Sequence, residues 1–201
     1  MKKHGIIFVF VALVIIAACW MWRYVTMNAY YDGLNNSDHK LYMAGEKVPF
    51  EDDGLDLHTD LSGYFIRTDG FEIMDYQDYL DLEGLTVDGN AEPPDRLALV
   101  YITLGNETCE PNPVTLIHIQ LHTVDTNLAM DWSVLTAANP ILEGNVSIAL
   151  PQSSECQLVL PFALNKESFQ RTTWRNMDDC AFYLTVTTGL TTKEILVNEQ
   201  S

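Results

Sequence analysis

The N-terminal segment constrains this chain more than any other feature. Lys2 and Lys3 come before an uncharged, largely apolar run, Gly5–Trp22. A helix of about 18 residues rises about 27 Å, which is close to the bilayer hydrocarbon thickness of about 30 Å. Lysines before such a run and aromatic residues at its far end are typical of a helix whose N-terminus stays in the cytoplasm. We therefore expect residues 1–23 to form a single-pass transmembrane signal-anchor that leaves the rest of the chain extracytoplasmic.

A second interpretation of the same segment is a lipoprotein signal. Residues 6–16 are long enough for a signal-peptide core. The tetrapeptide Ile16-Ala17-Ala18-Cys19 that closes this core resembles a bacterial lipobox, in which Cys19 would be lipidated. The uncleaved helix is favoured because the apolar run continues past the cysteine. Both interpretations place the remaining residues outside the cytoplasm and attach them to the cell membrane.

The residues after the anchor divide into a tether and one domain. Residues 27–46 contain the polar runs Asp32-Gly33 and Asn35-Asn36-Ser37-Asp38 and have no hydrophobic period, which predicts a tether over residues 24–46. Residues 47–201 contain short β-branched and aromatic runs separated by Gly, Pro, Asn and Asp, the pattern of a mainly β domain. The spacing of the turns indicates a single immunoglobulin-like antiparallel β-sandwich.

Individual runs predict particular elements. Residues 96–104 are apolar on both faces, as in a strand that is covered on both sides. Residues 114–122 alternate like a half-buried strand, and residues 75–82 have the spacing of one short helix. Further strands are predicted at residues 63–67, 71–74, 146–150, 157–162, 181–187 and 194–198.

Several segments also resemble known bacterial proteins. They are GYFIRTDGFEIMDYQDYL, the Asn139-Pro140 turn, LVLPFAL and FYLTVTTGLTTKEILVN, together with the anchor and tether. This layout resembles uncharacterised membrane-anchored or secreted proteins of Gram-positive bacteria with an immunoglobulin-like (telokin-like) domain. The resemblance implies a fold and a location, and it brings no activity and no catalytic residues.

The charge of the chain excludes one class of partner. The formal net charge is −17, and 28 acidic residues oppose 11 basic ones. Nucleic-acid binding requires positive charge against the phosphates, so no nucleic-acid partner is expected. The acidic surface also repels anionic lipid headgroups. Solubility explains such a charge, and a basic partner surface or bound cations would also use it.

The densest acidic stretch is a weak candidate for a calcium site. It offers the carboxylates of Asp52, Asp53, Asp56 and Asp60. Calcium prefers six to eight oxygen ligands, but the spacing lacks the glutamate that closes an EF-hand loop. We therefore assign no metal site.

No motif for catalysis or cofactor binding is present in the sequence. His118 and His122 are four residues apart, which on a strand separates them by about 13 Å and prevents them from sharing an ion. Together with Gln120 they predict a polar outer face. There is no G-x-S-x-G and no glycine-rich phosphate loop. Catalytic residues and cofactors are therefore not expected, and an enzyme is the least favoured class.

Three cysteines follow the anchor, in a compartment that permits disulfides. They are Cys109, Cys156 and Cys180, and none forms a C-x-x-C pair. One disulfide with one free thiol and three free thiols are both compatible with this number. Trp132 and Trp174 are predicted to pack in or beside the core.

Taken together, these features favour a non-catalytic binding module on the cell membrane with a protein partner. The alternatives are a structural subunit of an envelope complex and an acidic, calcium-binding surface domain.

Overall fold

The computed structural model of the chain describes residues 18, 20–24, 38–50, 60–87, 92–108, 110–188 and 191–198. The described strands are β1 (Asp38–Met43), β2 (Val48–Pro49), β3 (Tyr64–Asp75), β4 (Arg96–Asn106), β5 (Pro113–Thr115), β6 (Gln120–His122), β7 (Asn127–Leu128), β8 (Ser147–Ala149), β9 (Ser154–Leu164), β10 (Tyr183–Thr188) and β11 (Thr191–Leu196). The α-helices among them are α1 (Tyr76–Glu83), α2 (Trp132–Ala138) and α3 (Arg171–Arg175), and short 3-10 turns lie at Leu116–His118, Pro140–Leu142, Lys166–Ser168 and Met177–Asp179. The prediction of a mainly β domain is confirmed.

The strands form two principal sheets. A four-stranded antiparallel sheet has the order β2-β3-β4-β9, and a five-stranded sheet has the order β1-β11-β10-β6-β7. A separate ribbon pairs β5 with β8. Apolar residues of both principal sheets belong to one buried cluster; they include Ile66, Val100 and Phe162 of the first sheet and Leu121, Leu184 and Ile195 of the second. The main core therefore lies between the two sheets.

A second core lies on the opposite face of the four-stranded sheet. Tyr79 and Leu80 of α1 and Val134 of α2 pack with Leu97 and Leu99 of β4. Because alternate residues of a strand point to opposite faces, Leu97 and Leu99 face the helices while Ala98 and Val100 face the main core. The prediction that residues 96–104 form a strand covered on both sides is confirmed.

The start of α2 and the end of α1 have recognisable caps. The Asp131 carboxylate accepts a hydrogen bond from the Val134 backbone N–H at 3.0 Å, which starts α2. Gly84 ends α1 with a φ of 64°, the left-handed conformation that glycine adopts without strain. The single helix predicted at residues 75–82 is confirmed as α1. The helices α2 and α3 were not predicted from the sequence.

Two strand predictions need correction. Residues 114–122 do not form one strand, because the 3-10 turn separates β5 from β6. The turn directs Leu116 and Ile119 into the core, three residues apart, and leaves Ile117 exposed. The two strands predicted at 63–67 and 71–74 are one strand, β3, with an irregular register between Thr68 and Gly70 that is typical of a bulge.

The N-terminal boundary of the domain also differs from the prediction. The chain divides into two compact units, residues 1–38 and 39–201. Residues 38–43, which the sequence assigned to the tether, form β1 at the edge of the five-stranded sheet. The hydrophobic pattern missed this strand because Leu41 and Met43 face outward and only Tyr42 packs against the core.

In the first unit, residues 18 and 20–24 are helical and exposed. The rest of the predicted anchor, including Cys19, lies outside the described residues. Within the part of the chain that the structure describes, no helix is both long and apolar enough to span a membrane.

Candidate functional site

The candidate site is the face of the five-stranded sheet that points away from the main core. On β11, Lys193 and Ile195 are fully buried, so the alternating residues Glu194 and Leu196 point outward. Cross-strand pairing places Tyr183 opposite Leu196 and Thr185 opposite Glu194. We call this surface the outer face; it comprises His39, Leu41 and Met43 of β1, Glu194 and Leu196 of β11, Tyr183 and Thr185 of β10, and Gln120 and His122 of β6.

Two histidines meet one carboxylate on the outer face. His39 Nε2 lies 2.7 Å from Glu194 Oε2, and His122 Nε2 lies 2.9 Å from Glu194 Oε1. Thr185 Oγ1 donates a third hydrogen bond to Glu194 Oε1 at 3.2 Å. The His122 ring also stacks on Tyr183, with ring centroids 5.5 Å apart. The cluster therefore joins β1, at the sheet edge, to β6 across two intervening strands.

The surroundings of Glu194 favour its charged form. Its side chain is 13% exposed, and burial by itself raises the carboxyl pKa. Hydrogen bonds from His122 and His39 and the charges of both rings act in the opposite direction. The net result is a Glu194 pKa below its ordinary value, so the carboxylate is ionised at neutral pH.

An apolar patch adjoins this polar cluster. Leu41 is 53% exposed and Met43 is 38% exposed, and both share the β1 face of His39. An edge strand that exposes apolar side chains beside ionisable ones offers both contact area and specificity to a partner. The arrangement can bind a surface without any further chemistry.

A buried lysine joins the two sheets directly below the outer face. Lys193 is 0% exposed, and its Nζ donates a hydrogen bond to the Pro49 carbonyl of β2 at 2.8 Å. Lysine is rarely fully buried without such partners. Neither Lys193 nor Glu194 could be singled out from the sequence, because two neighbouring charges in one strand do not indicate which side chain points inward.

A small cavity lies on the helix-covered side of the four-stranded sheet. Its volume is about 240 Å³, and its lining includes Asp69, Tyr101 and Asn139. The Asp69 carboxylate accepts a hydrogen bond from Arg67 Nε at 2.7 Å and another from the Thr103 hydroxyl. The Asp69 carboxylate is therefore already paired with Arg67 and Thr103. The cavity is also smaller than the pockets of about 300 Å³ or more that hold typical ligands.

Of the four weak calcium candidates, only Asp60 belongs to the described residues. Asp52, Asp53 and Asp56 lie outside them. Asp60 caps a turn, because its Oδ1 accepts hydrogen bonds from the Ser62 N–H at 2.9 Å and the Ser62 hydroxyl at 2.5 Å. Both bonds lower the Asp60 pKa. No group of three or more His, Cys, Asp or Glu side chains in the described ranges is arranged to hold a metal ion.

The cysteines and tryptophans singled out by sequence are partly buried where the structure describes them. Cys156 and Cys180 are half-buried free cysteines, so no disulfide joins them; Cys109 lies outside the described residues. Burial raises the pKa of the Cys156 thiol to about 11. The pKa of the Cys180 thiol is also raised, mainly by burial and in addition by the negative charges of nearby aspartates. Both shifts disfavour the reactive thiolate. Trp132 and Trp174 pack against the main core as predicted.

The histidines differ in burial and in their contacts. His118 is exposed on its 3-10 turn, whereas His122 is half-buried in the cluster with Glu194. The predicted polar outer face therefore contains His122 and Gln120, while His118 lies in the turn before it. His39 belongs to no sequence motif, because its partner Glu194 is 155 positions away in the chain.

Comparison with known proteins places the chain in a family. A family described as a domain of unknown function, DUF5028, matches residues 39–189. The chain belongs to the DUF5028 family. The match begins within β1, which agrees with the compact unit that starts at residue 39. It includes His39 and His122 of the outer face and ends before Glu194.

The searches of curated proteins and of solved structures do not assign a function. Among curated proteins, no match to this chain was found. The crystal structure of the yjhA protein from Bacillus subtilis is similar, with 13% sequence identity and a TM-score of 0.41. The similarity covers 78% of this chain and 99% of that one. At this identity and TM-score it supports no inference about function.

Proposed function

We propose that this DUF5028 chain is a membrane-anchored, extracytoplasmic binding module that recognises a protein partner through the outer face and performs no chemistry. The location rests on Lys2, Lys3 and the apolar run Gly5–Trp22. The observation that carries the binding role is the exposed pair Leu41 and Met43 beside the cluster of His39, Glu194 and His122.

The proposed fold is an immunoglobulin-like sandwich. Its support is the pair of sheets that share one core, with antiparallel pairing of β3, β4 and β9. In such domains an uncovered sheet face or the end loops contact the partner, because the rigid core positions them.

The chemistry of the partner follows from the outer face and the net charge. Apolar side chains on the partner would cover Leu41 and Met43, and the net charge of −17 disfavours an acidic partner. A partner surface with an apolar centre and a basic rim therefore complements this module best.

Site-specific photo-crosslinking tests the binding role in native membranes. A photoreactive residue replaces Leu41, which is 53% exposed, or Ile141, which is 54% exposed and lies on the 3-10 turn after α2. We expect one discrete protein adduct from position 41 and none from position 141. Equal labelling at both positions, or no adduct at position 41, contradicts a partner on the outer face.

A further inference from the structure

A second cavity borders the helix-side face of the four-stranded sheet, beyond the part that α1 and α2 cover. The helices pack over Leu99 of β4. Gly105 lies on the same face of β4, because alternate residues of a strand share a face, and its cross-strand neighbours are Phe65 of β3 and Glu155 of β9. The cavity at this row has a volume of about 330 Å³, and its lining includes Phe65, Glu107 and Glu155. That volume is within the range of pockets that hold ligands.

The missing side chain of Gly105 brings an aromatic ring and a carboxylate together. A Cβ atom at this position would clash with the Phe65 ring and would lie 3.2 Å from Glu155 Cγ. The ring therefore uses the space that a side chain at residue 105 would fill, and the Glu155 side chain begins beside it. The cavity thus has an aromatic wall with carboxylates at its rim.

An ammonium group of the protein itself lies on this aromatic wall. Lys47 Nζ is 3.9 Å from the centroid of the Phe65 ring, and it donates a hydrogen bond to Glu107 Oε1 at 2.7 Å. An aromatic ring beneath an ammonium is a recurring arrangement in the recognition of cationic ligands. The side chains of Lys47 and Glu107 are 48% and 58% exposed, and ion pairs this exposed are weak. Lys47 therefore shows where an ammonium group fits, and it can be displaced.

The charges around the cavity leave room for a further cation. Arg67 is close enough to interact with Glu155, but its Nε donates to Asp69 at 2.7 Å. The two cations Lys47 and Arg67 therefore face three carboxylates, and one negative charge is in excess. The net charge of the chain, −17, attracts cations to the same surface.

We propose that this cavity binds the primary ammonium group of a lysine side chain from a basic partner, and that Lys47 occupies the ammonium position in the free protein. The incoming ammonium replaces Lys47 on the Phe65 ring and on Glu107, and Glu155 supplies a second carboxylate. An ammonium group has three N–H donors, which a pair of carboxylates can accept. The cavity belongs to the four-stranded sheet, so this inference does not rest on the outer face.

A nuclear magnetic resonance titration of the ¹⁵N-labelled full-length chain in detergent micelles tests the site. The probe is Nα-acetyl-lysine amide, added at an ionic strength of about 0.15 M to screen general attraction. We expect saturable shifts of the backbone amides of residues 65, 105–107 and 155. In Lys47→Ala the apparent Kd should fall about three- to tenfold, because the probe no longer competes with an internal occupant.

Matched controls separate the ammonium site from other effects. Nα-acetyl-norleucine amide has a similar stem without the ammonium group and should give no saturable shift. In the Lys47→Ala background, Glu107→Gln and Glu155→Gln should each weaken lysine amide binding about fivefold or more, since a charged acceptor is lost. Glu167→Gln, which changes an exposed glutamate on another turn, should leave the binding unchanged.

Several results would overturn the proposal. One is equal shifting of the same amides by the norleucine amide. Another is a shift in the unmodified chain that does not saturate and is spread over the acidic surface, a comparison that needs no variant to fold. A third is lysine amide binding to Lys47→Ala that is no tighter than binding to the unmodified chain.

Discussion

The two principal sheets of this domain have different surroundings. The four-stranded sheet is covered on both faces, by the five-stranded sheet on one side and by α1 and α2 on the other. The five-stranded sheet is covered on one face only in the described part of the chain, and its outer face has ionisable and apolar side chains together. Both sheets contribute to the main core, but in the described part of the chain only the second presents a whole face without a covering layer.

This division follows from the cost of burying polar groups. A strand between two apolar layers cannot hold ionisable side chains without paired partners, so β4 is almost entirely apolar. A strand with one face towards solvent can hold His122 or Glu194 without that cost. Ionisable side chains are therefore more readily accommodated on the five-stranded sheet.

Truncation of a leucine in each sheet gives the largest expected contrast. Leu99 of β4 is 0% exposed and packs under α1 and α2, so Leu99→Ala should lower the free energy of unfolding by about 2–5 kcal/mol. Leu41 of β1 is 53% exposed, so Leu41→Ala should change it by less than about 0.5 kcal/mol. Urea denaturation of the full-length chain measures both. Similar losses in the two variants would mean that the outer face is covered.

Substitution of Asn139, at the β9 edge of the four-stranded sheet, should lower the free energy of unfolding by a smaller amount than Leu99→Ala. The buried Asn139 side chain accepts from the Val159 N–H at 2.8 Å and donates to the Val159 and Leu135 carbonyls at 2.8 and 2.7 Å. It thereby replaces a neighbouring strand at this point of β9. Asn139→Ala leaves the Val159 N–H and carbonyl without these partners, while the Leu135 carbonyl keeps the backbone N–H of residue 139 at 3.1 Å, and the change should cost about 1–3 kcal/mol.

Asn139→Asp provides the matched test of that explanation. Aspartate keeps the acceptor for the Val159 N–H but cannot donate to the two carbonyls, so this variant should also destabilise the domain. An Asn139→Asp protein as stable as the unmodified chain, measured by the same denaturation, would show that the carbonyl contacts contribute nothing.

The smallest expected effect is the stability contributed by the Glu194 carboxylate, which should be lost when the pH is lowered. The Glu194 pKa is lowered below its ordinary value of 4.5, so the carboxylate stabilises the fold above that pH. This contribution is lost as pH falls through the lower pKa of the folded state. The stability difference between the unmodified chain and Glu194→Gln should therefore be present at pH 6 and shrink as pH falls below 4.5. Thermal denaturation across this range measures it.

The exposed Glu167 provides the control for acidification. Glu167→Gln should leave the pH dependence of the melting temperature unchanged. If the effect of Glu194→Gln does not shrink on acidification below pH 4.5, the carboxylate charge is not what stabilises the cluster.

Much of the four-stranded sheet was predictable because its pattern is local. The double-sided apolar run of β4 and the helical spacing of α1 are both visible within about ten residues. The five-stranded sheet was less predictable. β1 lacks an alternating pattern, and β6 is preceded by a turn that buries Leu116 and Ile119 at a spacing of three.

The candidate site could be predicted only in part. The alternation of Gln120 and His122 indicated a polar face. The meeting of His39 with Glu194 could not be inferred, since no local pattern links residues 155 positions apart. Lys193 and Glu194 are adjacent and both charged, and the register of β11 alone decides that one is buried and the other faces outward.

The sequence by itself determined the mainly β class, the acidic surface and the strand that is buried on both sides, because each depends on composition or on a short-range period. Tertiary structure decided which edge β1 occupies, which charged residue of β11 enters the core, and which two histidines share one carboxylate. These features arise from pairing between distant strands, and the free energy that fixes such pairing is the joint burial of a core rather than any local preference of the residues involved.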